Sequence, residues 1–206
     1  MTSNTWRIDE NRIPSREEIK RLAKACRERA EAALASGRRQ PVVDWMMLHL
    51  LIGSGLRSHE VAALHVKDLQ IGHGQAAVHI REGKGGKPRL VAISWRLKNH
   101  LRRYLGWKER HGEPVTQEAP VFVSEQGTEF TTRGIRHLFK RCLRQGGLSD
   151  KYGVHAIRHF HLSALYESTK DLRLTQEQAG HASVSTTQVY THVSLGRRQE
   201  AVDKLF

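Results

Sequence analysis

Gly180-His181-Ala182-Ser183-Val184-Ser185-Thr186-Thr187-Gln188-Val189-Tyr190-Thr191-His192-Val193 is the stretch on which the reading turns. Taken alone, its tyrosine reads as a half-buried aromatic and its first histidine as a core residue with a satisfied hydrogen bond. The stretch gains meaning from what precedes it. Gly55-Leu56-Arg57-Ser58-His59-Glu60 is a glycine turn with an arginine leading into a helix, and Lys84 sits in the glycine-rich run Gly83-Lys84-Gly85-Gly86-Lys87-Pro88. His155-Ala156-Ile157-Arg158 places a histidine and an arginine one turn apart on a further helix. Each piece alone has a bland reading: a helix-start ion pair, an exposed lysine, a solvated helix face. One active site explains all of them in this order.

Metal-free cleavage of a phosphodiester needs that inventory. Negative charge builds on the non-bridging oxygens during attack, and guanidinium groups stay ionised and match phosphate geometry with forked donors. Preorganised donors of this kind contribute on the order of 3 kcal/mol each to lowering a barrier. A tyrosine can hold the phosphate covalently, but its phenol has a reference pKa of about 10 and needs a base or a cationic field. The departing oxygen needs an acid, which a lysine in a cationic site can supply. Two arginines, two histidines, a lysine and a tyrosine complete the set.

The motifs GLRSHEVAAL, HAIRHFHLSAL and GHASVSTTQVYTHV resemble the boxes of the catalytic domain of tyrosine recombinases, the phage-integrase family, over residues 41–194. The resemblance implies that Arg57 and Arg158 clamp the scissile phosphate and that His181 bonds a non-bridging oxygen. It makes His155 the acceptor of the Tyr190 proton and Lys84 the general acid for the 5′ oxygen. Lys87 could take the place of Lys84. Glu60 is expected to brace the first arginine. The implied reaction leaves a 3′-phosphotyrosyl bond and a free 5′ hydroxyl, then reseals, with neither ATP nor metal nor any other cofactor. The implied partners are double-stranded DNA and further copies of the chain, as a tetramer on paired sites. A type IB topoisomerase, or a DNA-binding regulator that keeps the fold without the chemistry, are the rivals.

Working outward, the expected fold is α+β, mainly helical, with a small antiparallel three-stranded sheet. Ser15 and Glu18 form a capping box, and Ile19, Leu22, Ala23, Cys26, Ala30, Ala33 and Leu34 give the next helix one apolar face closed by Gly37. Residues 42–52, opened by Pro41, are apolar nearly all round and predict a buried helix. Residues 68–71, 76–81 and 89–94 read as strands, with 121–124 as a further short one. Helices are expected over 58–64, 95–110, 131–145, 154–168, 174–180 and 184–191, with 196–205 a candidate terminal helix. Residues 1–40 read as an arm plus a single helix and 41–206 as the catalytic domain, so the chain is expected to be a minimal version or an excised domain. Ala201, Val202, Leu205 and Phe206 could dock on a neighbouring subunit or pack on their own domain.

The 206 residues carry 34 Lys and Arg against 21 Asp and Glu, a net charge of +13, which favours a polyanionic partner. With 38% hydrophobic residues there is material for a packed core. Cys26 and Cys142 form no CxxC pair, which fits a reducing compartment. No run of 18 apolar residues suggests a membrane span, and Arg7, Asp9 and Glu10 stand where a signal peptide needs apolar residues, so a cytoplasmic location is expected. His155, His159 and His161 invite a metal reading, but without an H-E-x-x-H or a nearby cysteine packing or phosphate contact is preferred.

Overall fold

The computed structural model of the protein describes residues 13–82 and 88–180. The order is α1 (Arg16–Ala35), α2 (Arg39–Ser54), α3 (Ser58–Ala62), a 3-10 turn (Val66–Asp68), β1 (Leu69–Gln70), β2 (Ala77–Ile80), β3 (Arg89–Ala92), α4 (Trp95–Arg110), α5 (Thr132–Gln145), α6 (Val154–Thr169) and α7 (Leu172–Ala179). The three strands form one antiparallel sheet in sequential order. Mainly helical with a small sheet is the architecture the sequence led us to expect.

α1 starts where its capping box says it should. The Glu18 N–H donates to the Ser15 hydroxyl at 3.2 Å, and the Ser15 N–H donates to Glu18 at 2.8 Å. Its face of Ile19, Leu22, Cys26, Ala30 and Ala33 is buried, whereas Leu34, expected on that face, is 54% exposed. The buried face joins the same core as the helices that follow, and the Tyr152 hydroxyl donates to Glu18 from across the chain. Cys26 and Cys142 are both buried free thiols. A hydrogen bond with Cys26, together with burial, holds the Cys142 thiol well above its ordinary pKa.

α2 begins at Arg39, earlier than expected, with Pro41 inside its first turn, where the missing N–H leaves no intrahelical bond unmade. It is the central helix. Met46, Met47, Leu48, Leu50 and Leu51 are fully buried, and the helix packs on α1, α4, α5 and α6. The buried Asp44 carboxylate is gripped by Arg141 of α5 at 2.6 and 2.7 Å.

Residues 121–124 do not form a strand. Isolated bridges pair His65 with Pro120 and Val123 with Glu129, and the segment's carbonyls are spoken for by side chains. Lys108 donates to the Pro120 and Val121 carbonyls, and Arg39 donates to that of Val123 at 2.7 Å. β2 and β3 pair Val78 with Val91 and Ile80 with Arg89, so the hairpin carrying Lys84 springs from the Ile80–Arg89 rung. No described helix is long and apolar enough to cross a membrane.

Candidate active site

The site is built where the C-terminus of α2 turns into α3. Gly55 caps α2 with φ +65°, a left-handed conformation that glycine adopts without cost. A Cβ there would stand 2.6 Å from the His161 ring, so the position is closed to side chains on two counts. The tight turn frees the Gly55 carbonyl to face α6, where Arg158 Nη1 donates to it at 2.7 Å. Arg158 is 2% exposed, and its Nη2 donates to the Ala179 carbonyl at 2.6 Å. This one guanidinium therefore ties the end of α2 to the end of α7.

Arg57, two residues beyond Gly55, is the N-cap of α3. Glu60, in the first turn, accepts the Arg57 N–H and its Nη1, each at 2.8 Å. Glu60 also accepts Arg89 Nη1 at 2.9 Å and Nη2 at 3.0 Å from the start of β3. Burial alone would raise its pKa. Hydrogen bonds from Arg89 and from the Arg57 backbone and side chain outweigh that and hold it at about 2. The brace expected from Glu60 is thus present, and Arg89, which the sequence reading passed over, is its second partner. No local pattern links residues 60 and 89; only the folded sheet brings them together.

Arg57, His155 and Arg158 line a single cleft of about 370 Å3. Leu56, Ser58 and His59 complete its α3 wall, and Gly153 and Val154 lie beside His155 at the start of α6. Arg136, Phe139 and Lys140 of α5 form the opposite wall and add two cations the sequence reading did not assign. Lys140 donates to the Tyr152 carbonyl at 2.8 Å and to that of Asp150, fixing the loop that leads to His155. The His155 side chain reaches solvent, yet partial desolvation first, then the charges of Arg158 and Arg57, push its pKa below the ordinary imidazole value. Both causes favour the neutral imidazole over the charged one.

His159 stacks edge-on against His155 with ring centroids 4.4 Å apart. The Nδ1 of His161 lies 2.9 Å from the Ile52 carbonyl on the other side of the helix. The three rings do not converge, and among the described residues no three His, Cys, Asp or Glu side chains are grouped to hold a metal ion. His161 is a packing residue at the α2–α6 seam.

Lys84, Lys87, His181 and Tyr190 lie outside the described residues, as do the expected helices over 184–191 and 196–205 and the apolar run ending at Phe206. Their attachment points are described. Gly180 caps α7 with φ +65°, against the Arg89 side chain. The Gln178 amide donates to the Ala92 carbonyl at 2.9 Å and accepts the Ala92 N–H at 3.1 Å, which fixes α7 on the open edge of β3. The residue before His181 and the strand that follows Lys84 therefore both meet the Arg57 turn through Arg89.

Comparison with known proteins bears on the family and the fold. A profile described as the phage integrase family matches residues 14–197. The chain is 35% identical over 164 residues to tyrosine recombinase XerC of Thermodesulfovibrio yellowstonii, covering 78% of this chain and 54% of that protein. It is 37% identical over 156 residues to tyrosine recombinase XerD of Ralstonia nicotianae, covering 75% and 49%. The chain spans about half the length of the curated relatives it matches. Among solved structures, the XerA recombinase superposes with a TM-score of 0.73 at 26% identity, covering 93% of this chain and 64% of that one. The XerH site-specific recombinase bound to its difH substrate superposes at 0.72 and 26% identity, covering 93% and 53%.

Proposed function

Because the chain belongs to the phage integrase family, we propose that it is a site-specific tyrosine recombinase that cuts and rejoins duplex DNA through a 3′-phosphotyrosyl intermediate. The observation that carries the reading is the Arg158–Gly55 bond, which joins the two arginine boxes, separated by a hundred residues, into the wall of one cleft.

In this reading the scissile phosphate enters the cleft and its non-bridging oxygens meet Arg57 and Arg158, with His181 as a further donor. The Tyr190 oxygen attacks phosphorus as its proton passes to His155. The bond from phosphorus to the 5′ oxygen breaks, and Lys84 supplies that oxygen's proton. The ester bond to tyrosine replaces the ester bond to DNA, so its energy is conserved, and a 5′ hydroxyl from another strand reverses the step. Positive charge preorganised around the phosphate provides most of the rate enhancement. The relatives are tyrosine recombinases by name, and the XerH structure is a pre-cleavage complex of a site-specific recombinase bound to its difH substrate. For this chain duplex DNA is the proposed partner, a tetramer on paired sites the proposed assembly, and the cytoplasm the proposed location.

The ends of the product test the reaction class. Incubated in EDTA without ATP on a nicked duplex from the DNA flanking its own coding sequence, the protein should release strands whose 5′ ends accept phosphate from a kinase directly. Ends that need prior phosphatase treatment would contradict the proposed polarity.

A further inference from the structure

We propose that Arg89 is a positioning residue for strand cleavage: gripping the buried Glu60 carboxylate from the sheet side, it keeps Arg57 turned to the scissile phosphate. The inference rests on the recombinase reading and deepens it.

The argument begins with four N–H groups on two oxygens. Glu60 Oε1 accepts from Arg57 Nη1 and Arg89 Nη1; Oε2 accepts from the Arg57 backbone and from Arg89 Nη2. The Glu60 side chain is fully buried, and that of Arg89 is 11% exposed. Arg89 makes the forked contact, two nitrogens on two oxygens, and Arg57 is left with a single guanidinium bond to Glu60, its side chain 20% exposed at the cleft. The division of labour follows from that geometry. Arg89 satisfies the carboxylate, so Arg57 keeps its other donors for a ligand.

Without Arg89 a buried carboxylate would lose two charged donors, and a buried charge short of partners is strongly driven to find them. Arg57 is the guanidinium within reach. Its favoured response is to close a fork of its own on Glu60, which turns its donors away from the cleft. The local charge also falls, from two guanidiniums against one carboxylate to one against one, just where negative charge must be stabilised. Arg89 has a second point of purchase. It packs against Gly180, where a Cβ would come within 2.5 Å of its side chain, and it lies on the rung from which the Lys84 hairpin springs. It touches no reacting atom in this scheme and acts through Glu60 and Arg57.

The test is single-turnover cleavage by the full chain on the nicked flanking duplex, with DNA affinity measured separately in a Tyr190→Phe background. Arg89→Met should slow cleavage about 100-fold, as loss of an orienting partner does, with DNA affinity within about threefold of wild type. Arg89→Lys, which keeps the charge but loses the fork, should recover about tenfold of that loss. A second substrate separates positioning from general damage. With an uncharged methylphosphonate at the scissile position, Arg57 has less charge to neutralise, and the Arg89→Met deficit should shrink to about threefold. If Arg89→Met does not fold, Arg89→Lys carries the same comparison: a deficit on phosphate that vanishes on methylphosphonate. Equal deficits on the two substrates, or wild-type cleavage by both variants, overturns the assignment of Arg89 alone. A wild-type protein that forms no adduct overturns the recombinase reading and takes Arg89 with it.

Discussion

Glu60 is a carboxylate that lives without water because two arginines hold it, and its behaviour in acid follows. Its folded pKa of about 2 lies below the ordinary 4.5, so it contributes stability that is fully present above pH 4.5 and is lost as the pH falls through 2. The shift corresponds to about 3 kcal/mol. Glu60→Gln should therefore lower stability at pH 7 by about 2 to 4 kcal/mol and give a flatter acid-unfolding curve between pH 5 and 2, read by circular dichroism. A variant as stable as wild type at pH 7 would show that the ion pairs only offset the cost of burying the charge. The bracing role of Glu60 was legible because Glu60 lies in the first turn of a short helix, three residues after the Arg57 that caps it. Arg89 was not, since a partner 29 residues away leaves no trace in local spacing.

Helices supply the frame, and two of their junctions make separate claims. At the end of α2, Gly55→Ala would place a Cβ in a left-handed conformation and 2.6 Å from the His161 ring. The conformation alone costs about 1–2 kcal/mol, so denaturant titration should show a loss of at least about 2 kcal/mol. Where α2 meets α4, His49 and His100 share a proton between Nδ1 atoms 2.8 Å apart, and the His49 ring stacks on Trp45 at 4.9 Å. Desolvation first, then nearby Arg96 and Arg103 for His49, lowers its pKa to about 4. Desolvation, His49 and Arg103 lower that of His100 to about 3. For a base held neutral by folding, the unfolded chain takes the proton first. The penalty is absent above pH 6.5 and grows as the pH falls towards those values, reaching about 2 kcal/mol per histidine at pH 5. A His49→Leu, His100→Leu double variant should lose less stability between pH 7 and 5 than wild type in thermal melts, and an unchanged pH slope would contradict this. The helices themselves were legible from periodicity and caps: residues 95–110 were expected as one helix and α4 spans Trp95–Arg110. The histidine pair was not, because 51 residues separate its members and only the packing of α2 on α4 joins them.

The chain as a whole is strongly cationic, and under the recombinase reading its net charge of +13 sets how it should meet DNA. Binding through phosphates releases counterions, so affinity for a duplex should fall by about 10³ or more between 50 and 200 mM salt if six or more phosphates are neutralised. A salt-insensitive affinity, measured by fluorescence anisotropy, would contradict a phosphate-led interface. The fold class was legible because three motifs in fixed order imply one scaffold, and the small sheet because short alternating runs flank glycine turns. Residues 121–124 misled because β-branched residues there serve as an extended loop whose carbonyls receive Lys108 and Arg39, a use that looks like a strand in one dimension. The most direct measurement is a denaturing gel of the protein incubated with a nicked suicide duplex, followed by peptide mapping of any protein–DNA adduct. The expected result is an adduct whose modified peptide contains Tyr190 and which is absent from a Tyr190→Phe variant that still binds the duplex. An adduct that persists in Tyr190→Phe, or that maps to another residue, would show that the chemistry runs through a different nucleophile.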